Sequence, residues 1–123
     1  MMATRILIVD DSEKNLKLCE LLVSSLGYET ITASNGKDGI SLAAEKMPNL
    51  ILMDIKMPGM DGTATLKALK SDEKTRDIPV IAVTAYAMKN DRQRLLDYGF
   101  SEYVAKPVKK SEFIEVLQKT LQK

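Results

Sequence analysis

Five short runs that suit β-strands alternate with five helical patterns along this chain. The runs Ile6–Val9 and Val80–Val83 are continuously apolar, as in strands covered on both faces. The run Tyr28–Ala33 mixes polar and apolar residues, which indicates a strand at the edge of a sheet. Apolar residues at helical spacing lie between the runs, at Leu18, Leu21, Leu22 and Leu26, at Ile40, Ala43, Ala44 and Met47, at Leu66 and Leu69, at Leu95 and Leu96, and at Phe113, Ile114, Leu117 and Leu121.

The strict alternation of strand and helix limits the topologies that the chain can adopt. Each strand is followed by a helix that crosses over to the next parallel strand, and such crossovers are right-handed. The sequence therefore predicts an α/β protein, a parallel sheet with helices on both faces. We expect a single domain over residues 1–123, with Lys110–Lys123 as the terminal helix and no further module after it.

The composition excludes several functional classes. With 45% hydrophobic and 28% charged residues, the 123-residue chain has the profile of a globular domain without a membrane span. The net charge of +1 argues against nucleic acid or anionic lipid as the main partner. The N-terminus enters an apolar strand almost at once and shows no signal-peptide pattern. We expect a cytoplasmic monomer that binds neither nucleic acid nor membranes.

Cysteine and histidine usage narrows the chemistry further. The single cysteine, Cys19, has no partner for an internal disulfide and is expected to pack as a small hydrophobe on the first helix. The chain has no histidine, which excludes the usual zinc sites and removes the most common general base near neutral pH. Any phosphohistidine in its biology must therefore be on another protein.

Polar residues follow four of the apolar runs. Asp10 and Asp11 follow Ile6–Val9, and Asp54 follows Leu50–Met53. Thr84 follows Val80–Val83, and Lys106 follows Tyr103–Ala105. Because the carboxyl ends of parallel strands share one edge of the sheet, where ligands bind, we expect these five side chains to converge. Each one alone has a simpler interpretation, as a helix cap, a turn aspartate, a strand-end threonine or a solvated lysine.

The three carboxylates predict a magnesium site. Like charges a few Å apart raise one another's pKa strongly, and a divalent cation relieves that conflict. Carboxylate oxygens without histidine or cysteine suit Mg²⁺, which takes one or two carboxylates and a phosphate oxygen and keeps several waters. The alternative is that Asp11 or Ser12 only caps the helix that follows.

Asp54 is the candidate nucleophile of this site. A carboxylate there can attack phosphorus and form an acyl phosphate. The ammonium of Lys106 could reach a phosphate oxygen, and a cis bond before Pro107 would aim it into the site. The hydroxyl of Thr84 could donate to the same phosphoryl group.

The order of these motifs resembles the receiver domain of bacterial two-component response regulators, over the entire chain. The matching segments are Ile8–Asp11, Leu52–Gly62, Val83–Ala85 and Lys106–Pro107. Thr84–Lys89, followed by Asp91, is similar both to stand-alone regulators of cell cycle and polarity and to receivers attached to hybrid histidine kinases.

The resemblance implies a flavodoxin-like (βα)5 fold with strand order 2-1-3-4-5 and a phosphorylation-dependent switch in a phosphorelay. It implies that Asp54 accepts a phosphoryl group from a histidine kinase or a histidine phosphotransfer protein. It also implies that Asp10, Asp11 and Asp54 bind Mg²⁺ with the backbone carbonyl of Lys56. The chain would then be a phosphoacceptor that assists its own phosphorylation and dephosphorylation, and not a classical enzyme.

The same resemblance assigns roles to Lys106, Thr84 and Tyr103. Lys106 and Thr84 would contact the phosphoryl oxygens, and Tyr103 matches the aromatic switch position. Movement of Thr84 toward the phosphoryl group would free space for the ring of Tyr103. The surface of the fourth helix, fifth strand and last helix would then change shape and bind a downstream protein. Tyr103 has the alternative of a half-buried strand aromatic with its hydroxyl in water.

Three other interpretations remain open at this stage. The nearest is a receiver excised from a larger hybrid histidine kinase or response regulator. A Mg²⁺-dependent aspartyl-nucleophile phosphatase normally carries its acid two residues after the nucleophile, where this chain has Lys56. A flavin-binding protein of this architecture needs a hydroxyl-rich first loop, whereas Asp10–Glu13 is acidic. Gly59 and Gly62 are interpreted as turn glycines that help to place Asp54.

Overall fold

The computed structural model describes residues 4–55, 61–85 and 91–122, with side chains in the last range described from residue 93. Strands and helices alternate over these residues, and all strand pairs are parallel in the order β2-β1-β3-β4-β5. The predicted α/β, flavodoxin-like fold with this strand order is therefore confirmed. The elements are β1 (Arg5–Val9), α1 (Glu13–Ser25), β2 (Glu29–Ala33), α2 (Gly36–Lys46), β3 (Leu50–Asp54), α3 (Gly62–Lys70), β4 (Val80–Thr84), α4 (Asp91–Tyr98), β5 (Glu102–Ala105) and α5 (Lys110–Leu121).

Alternate residues of each strand enter two separate cores, one on each face of the sheet. Leu7 and Val9 of β1 pack in a cluster with residues of α2, α3 and α4. Ile6 and Ile8 of the same strand pack with residues of α1 and α5. All residues of β3 and β4 are buried, whereas β2 lies at one end of the sheet with half-exposed residues, as its mixed composition predicts. Of the helices in the described ranges, none has the length and apolar character of a membrane span.

The leucines of α1 do not all face the sheet. Leu18 and Leu21 are exposed, at 42% and 72%, while Cys19 and Val23 are buried at 2% or less. Leu18 and Leu21, which belong to the predicted helical pattern, therefore face solvent. Leucines at three- and four-residue spacing occur on more than one side of this helix, so the spacing identifies the helix but not its packed face. Cys19 packs as a small hydrophobe, as predicted.

Met47 ends α2 in an unfavourable backbone conformation. Met47 is the last apolar residue of the predicted helical pattern, and its side chain is 58% exposed. Its backbone is left-handed, with φ 47° and ψ 63°, and its N–H donates to the Ala43 carbonyl at 2.9 Å. A side chain in this conformation places Cβ too close to its own carbonyl oxygen, which glycine avoids.

Replacing Met47 with glycine is expected to stabilise the protein by about 1 kcal/mol, since the left-handed strain disappears while little packing is lost. Thermal or denaturant unfolding of the two proteins measures the difference. Met47→Ala is the matched control, because it removes the same side chain but keeps the Cβ. Equal stability of the glycine and alanine variants would contradict the prediction.

Candidate functional site

Asp10 and Asp54 lie side by side because β1 and β3 are neighbouring parallel strands. Val9 pairs with Met53, so the next residue of each strand, Asp10 or Asp54, lies at the carboxyl edge of the sheet. Both aspartates are buried, whereas Asp11 is exposed to solvent. One carboxylate oxygen from each of the three aspartates lies within 4.8 Å of the others. The three predicted metal ligands are therefore close together.

The next two strands bring Thr84 and Lys106 to the same edge. Thr84 is the buried last residue of β4, and its carbonyl accepts the backbone N–H of Lys106 at 2.8 Å. The peptide bond between Lys106 and Pro107 is cis. The Lys106 Nζ lies 3.1 Å from Asp54 Oδ1 and 3.4 Å from Asp10 Oδ2. The lysine thus forms a bridge between the two buried carboxylates.

Burial dominates the electrostatics of the site. It raises the pKa of the Asp54 carboxyl from 3.8 to about 6, because removal from water penalises the charged form, and the hydrogen bond from Lys106 only partly offsets this. The charge of Asp10 raises the pKa of Asp54 further. Burial by itself would lower the pKa of Lys106, but the hydrogen bond to Asp54 and the charge of Asp10 outweigh it, so that pKa is raised. Lys106 is therefore a firmly protonated cation beside a carboxylate whose charged form is disfavoured by burial.

The loop after β1 orients Asp10 and begins α1 at the site. Asp10 Oδ1 accepts the backbone N–H of Ser12 at 2.9 Å, and the Ser12 hydroxyl accepts the N–H of Asn15 at 3.3 Å. Ser12 therefore caps α1, as the simpler interpretation of this segment holds. The cap and the acidic cluster are compatible, since Asp10 belongs to the cluster and also accepts the N–H of the capping residue Ser12. The hydrogen bond that the Asp10 carboxylate accepts from the Ser12 N–H was not predicted from the sequence.

Thr84 and Tyr103 lie on the same face of the sheet. Tyr103 pairs with Ala82, and Thr84 is two residues further along β4 than Ala82. Tyr103 is half-buried and packs against the core on the α2, α3 and α4 side.

The segment after Asp54 is described only in part. Lys56, predicted to offer its backbone carbonyl to a metal ion, lies outside the described residues, as does Gly59. Gly62 is not a turn glycine as predicted but the first residue of α3. The Asp61 side chain caps that helix by accepting the Ala64 N–H at 2.9 Å, and this bond holds the pKa of Asp61 below its ordinary value. An aspartate just before the helical pattern is a capping signal that the sequence interpretation overlooked.

Comparison with known proteins identifies the family. Residues 6–118 match the family described as the response regulator receiver domain. The chain is 45% identical over 120 residues to the polar-differentiation response regulator DivK of Brucella anthropi, and the match covers 98% of each chain. The DivK of Brucella ovis matches to the same extent. The chain belongs to the response regulator receiver family.

Solved structures agree with this assignment. The receiver domain of a sensor histidine kinase from Pseudomonas aeruginosa superposes with a TM-score of 0.90 at 32% identity, covering 99% of this chain and 100% of that one. That structure contains a magnesium ion coordinated in the active site cleft. A receiver domain from Methanospirillum hungatei superposes with a TM-score of 0.86 at 33% identity, covering 98% and 95% of the two chains.

Replacing Asp54 with asparagine is expected to stabilise the protein in metal-free buffer, and more so above pH 6 than near pH 4. The raised pKa means that the folded protein holds a proton that the unfolded chain releases between 3.8 and about 6. The stability of the wild type therefore falls as the pH rises through this window, and the asparagine variant lacks that loss.

Thermal unfolding across this pH range in a chelating buffer measures the effect. Asp77→Asn, at an exposed aspartate near the amino end of β4, serves as the control. A stability difference between the Asp54 variant and the wild type that does not change with pH would be evidence against the prediction.

Proposed function

We propose that this chain is a phosphorylation-controlled signalling switch in which Asp54 accepts a phosphoryl group from a phosphohistidine. The donor is a histidine kinase or a histidine phosphotransfer protein, since this chain has no histidine of its own. An Asp54 oxygen attacks phosphorus, the bond from phosphorus to the donor imidazole breaks, and the imidazole leaves with the electron pair. The product is an acyl phosphate on Asp54.

The contact between Lys106 Nζ and Asp54 Oδ1, at 3.1 Å, is the observation that carries this proposal. Lys106 directly follows β5 and has only 19% of its side chain exposed, so it is held at the carboxylate and does not extend into water. A fixed ammonium here can follow the negative charge from the carboxylate to the phosphoryl oxygens. A carboxylate in an ordinary turn would not need such a partner.

The residues present fit a magnesium ion. Asp10, Asp11 and Asp54 offer hard oxygens within 4.8 Å of one another, and these three would hold the ion, with the backbone carbonyl of Lys56 as a further proposed ligand. When bound, Mg²⁺ would neutralise charge on the transferring phosphoryl group. The exposure of Asp11 beside two buried carboxylates leaves one side of the site open to solvent and to a donor.

The same residues would assist both the gain and the loss of the phosphoryl group. Lys106 would hold phosphoryl oxygens in place, and the hydroxyl of Thr84 would donate to one of them. Family membership supports a phosphoacceptor switch with these groups in place of a classical enzyme.

The proposed output of the switch is the surface formed by α4, β5 and α5. Thr84 and Tyr103 share a face of the sheet, and α4 and β5 are in contact on that side. Attraction of Thr84 toward the phosphoryl group would let the Tyr103 ring turn inward and alter this surface, which we propose binds a downstream protein.

Two contexts for the switch remain, and different relatives favour each. The DivK match covers 98% of both chains, which favours a stand-alone regulator. The Pseudomonas aeruginosa domain belongs to a sensor histidine kinase, which favours a receiver within a larger protein. We propose the stand-alone form, as a cytoplasmic monomer. The reading frame of the gene decides between them, since a native start codon at Met1 together with a stop codon after Lys123 is expected only for the stand-alone form.

Incubation of the protein with Mg²⁺ and acetyl phosphate is expected to add one phosphoryl group to the wild type and none to Asp54→Ala. Intact-mass measurement reads the adduct directly, because the carboxylate that forms the acyl phosphate is missing from the variant. Asp77→Ala, which removes an exposed aspartate near the amino end of β4, should be labelled like the wild type. Equal labelling of wild type and Asp54→Ala would refute the assignment of Asp54.

Magnesium is expected to raise the unfolding temperature of the wild type and to do so much less in Asp10→Asn. An ion that binds only the folded protein adds about 2.7 kcal/mol of stability at a hundred times its dissociation constant. The asparagine still accepts the Ser12 N–H but has lost the charge that attracts the ion. Asp77→Asn should respond like the wild type. The same response in all three proteins would contradict a metal site at Asp10.

A further inference from the structure

The first residue of α3 lies directly against the peptide group that follows the phosphoacceptor. Gly62 is buried, and a Cβ built on it would lie 2.5 Å from the carbonyl oxygen of Asp54 and 2.8 Å from the Cα of Ile55. Real Cβ atoms almost never approach other heavy atoms within 3.0 Å. The obstructing atoms are backbone atoms, which no side-chain rotation can move away. Only glycine fits here without displacing β3 or α3.

Hydrogen bonds hold the start of α3 at this distance. The Gly62 N–H donates to the carbonyl of Ile55 at 2.7 Å, which links the helix to the residue after Asp54. Asp61 caps the helix through the Ala64 N–H at 2.9 Å, and the Thr65 hydroxyl donates to the Asp61 carbonyl at 2.9 Å. The helix cannot retreat from Asp54 without loss of the bond to Ile55. A larger residue at position 62 would therefore push on the backbone of Asp54.

The Asp54 side chain cannot absorb such a push without leaving its partners. Its Oδ1 lies 3.1 Å from Lys106 Nζ, and its carboxylate is within 4.8 Å of oxygens of Asp10 and Asp11. Reactions that depend on aligned groups are sensitive to small displacements, since a shift of about 1 Å can cost a factor of about 100 in rate.

We propose that Gly62 is a positioning residue, whose missing side chain allows α3 to set the place of Asp54 against Lys106 and the acidic cluster. This inference rests on the function proposed above. It gives Gly62 a role in phosphoryl acceptance beyond the start of a helix, and it acts through Asp54 without contact between Gly62 and the reacting atoms.

Gly39 offers a matched control within the same chain. It is also buried near the beginning of a helix, and a Cβ there would lie 2.9 Å and 3.2 Å from the two methyl groups of Val9. Those contacts are with side-chain atoms only. Alanine adds the same methyl group at either position. The two variants differ in whether the methyl group meets the backbone of Asp54.

The test compares Gly62→Ala with Gly39→Ala, each also made in the Met47→Gly background to preserve folding. The Gly62 variant is expected to form the acetyl phosphate adduct about 10- to 100-fold more slowly than the wild type. Its Mg²⁺ dissociation constant, taken from the dependence of unfolding temperature on Mg²⁺, should rise as well, because Asp54 has moved relative to its neighbours. The Gly39 variant should match the wild type in both measurements, whatever its stability.

Each outcome decides a separate question. A wild type that forms no adduct defeats the proposed function itself, before Gly62 is considered. A labelled wild type with equal rates and Mg²⁺ affinities in the two alanine variants overturns the role of Gly62 and leaves the function intact. Failure of Gly62→Ala to fold in both backgrounds also overturns it, since the glycine would then serve the fold as a whole.

Discussion

The parallel pairing of β1 with β3 determines where the functional groups of this protein lie. The chain leaves β1 for the edge strand β2 and then returns across the sheet to β3, so the connections on either side of this pair run in opposite directions. A crevice opens at such a reversal, at the carboxyl ends of the two strands. The positions of Asp10 and Asp54 follow from the register of this one pair, and Thr84 at the end of β4 and Lys106 just after β5 lie at the same edge of the sheet.

The charged groups of the site reduce the stability of the fold. Two carboxylates are buried beside each other, and burial keeps the pKa of Asp54 well above its ordinary value even though Lys106 bridges the pair. A sheet edge selected only for stability would have apolar or hydrogen-bonded neutral residues there. The unfavourable charge favours the binding of a cation, because a cation that relieves the repulsion gains free energy that an already neutralised site could not supply.

The parts of the structure that follow short local patterns could be predicted from sequence. Continuous apolar runs identified the buried strands β1 and β4, the mixed run identified the edge strand β2, and strand ends identified the carboxylates that converge. The packed side of α1 could not be predicted, because the leucines at positions 18 and 21 have the same spacing as those that face the core. The sequence indicated that Gly62 helps to place Asp54, but not that it begins α3 and lies against the Asp54 backbone. That contact is between the start of α3 and the end of β3, and whether a side chain fits at position 62 depends on differences of a few tenths of an ångström in the distance between them.

The contact between Lys106 and Asp10 joins residues from nearly opposite ends of the chain. During synthesis on the ribosome, β1 and β3 emerge long before β5, so their two carboxylates would meet without the cation that later bridges them. In this protein a residue made late in synthesis supplies the charge that bridges two carboxylates made earlier, and a chain cut short before Lys106 would lack that bridge.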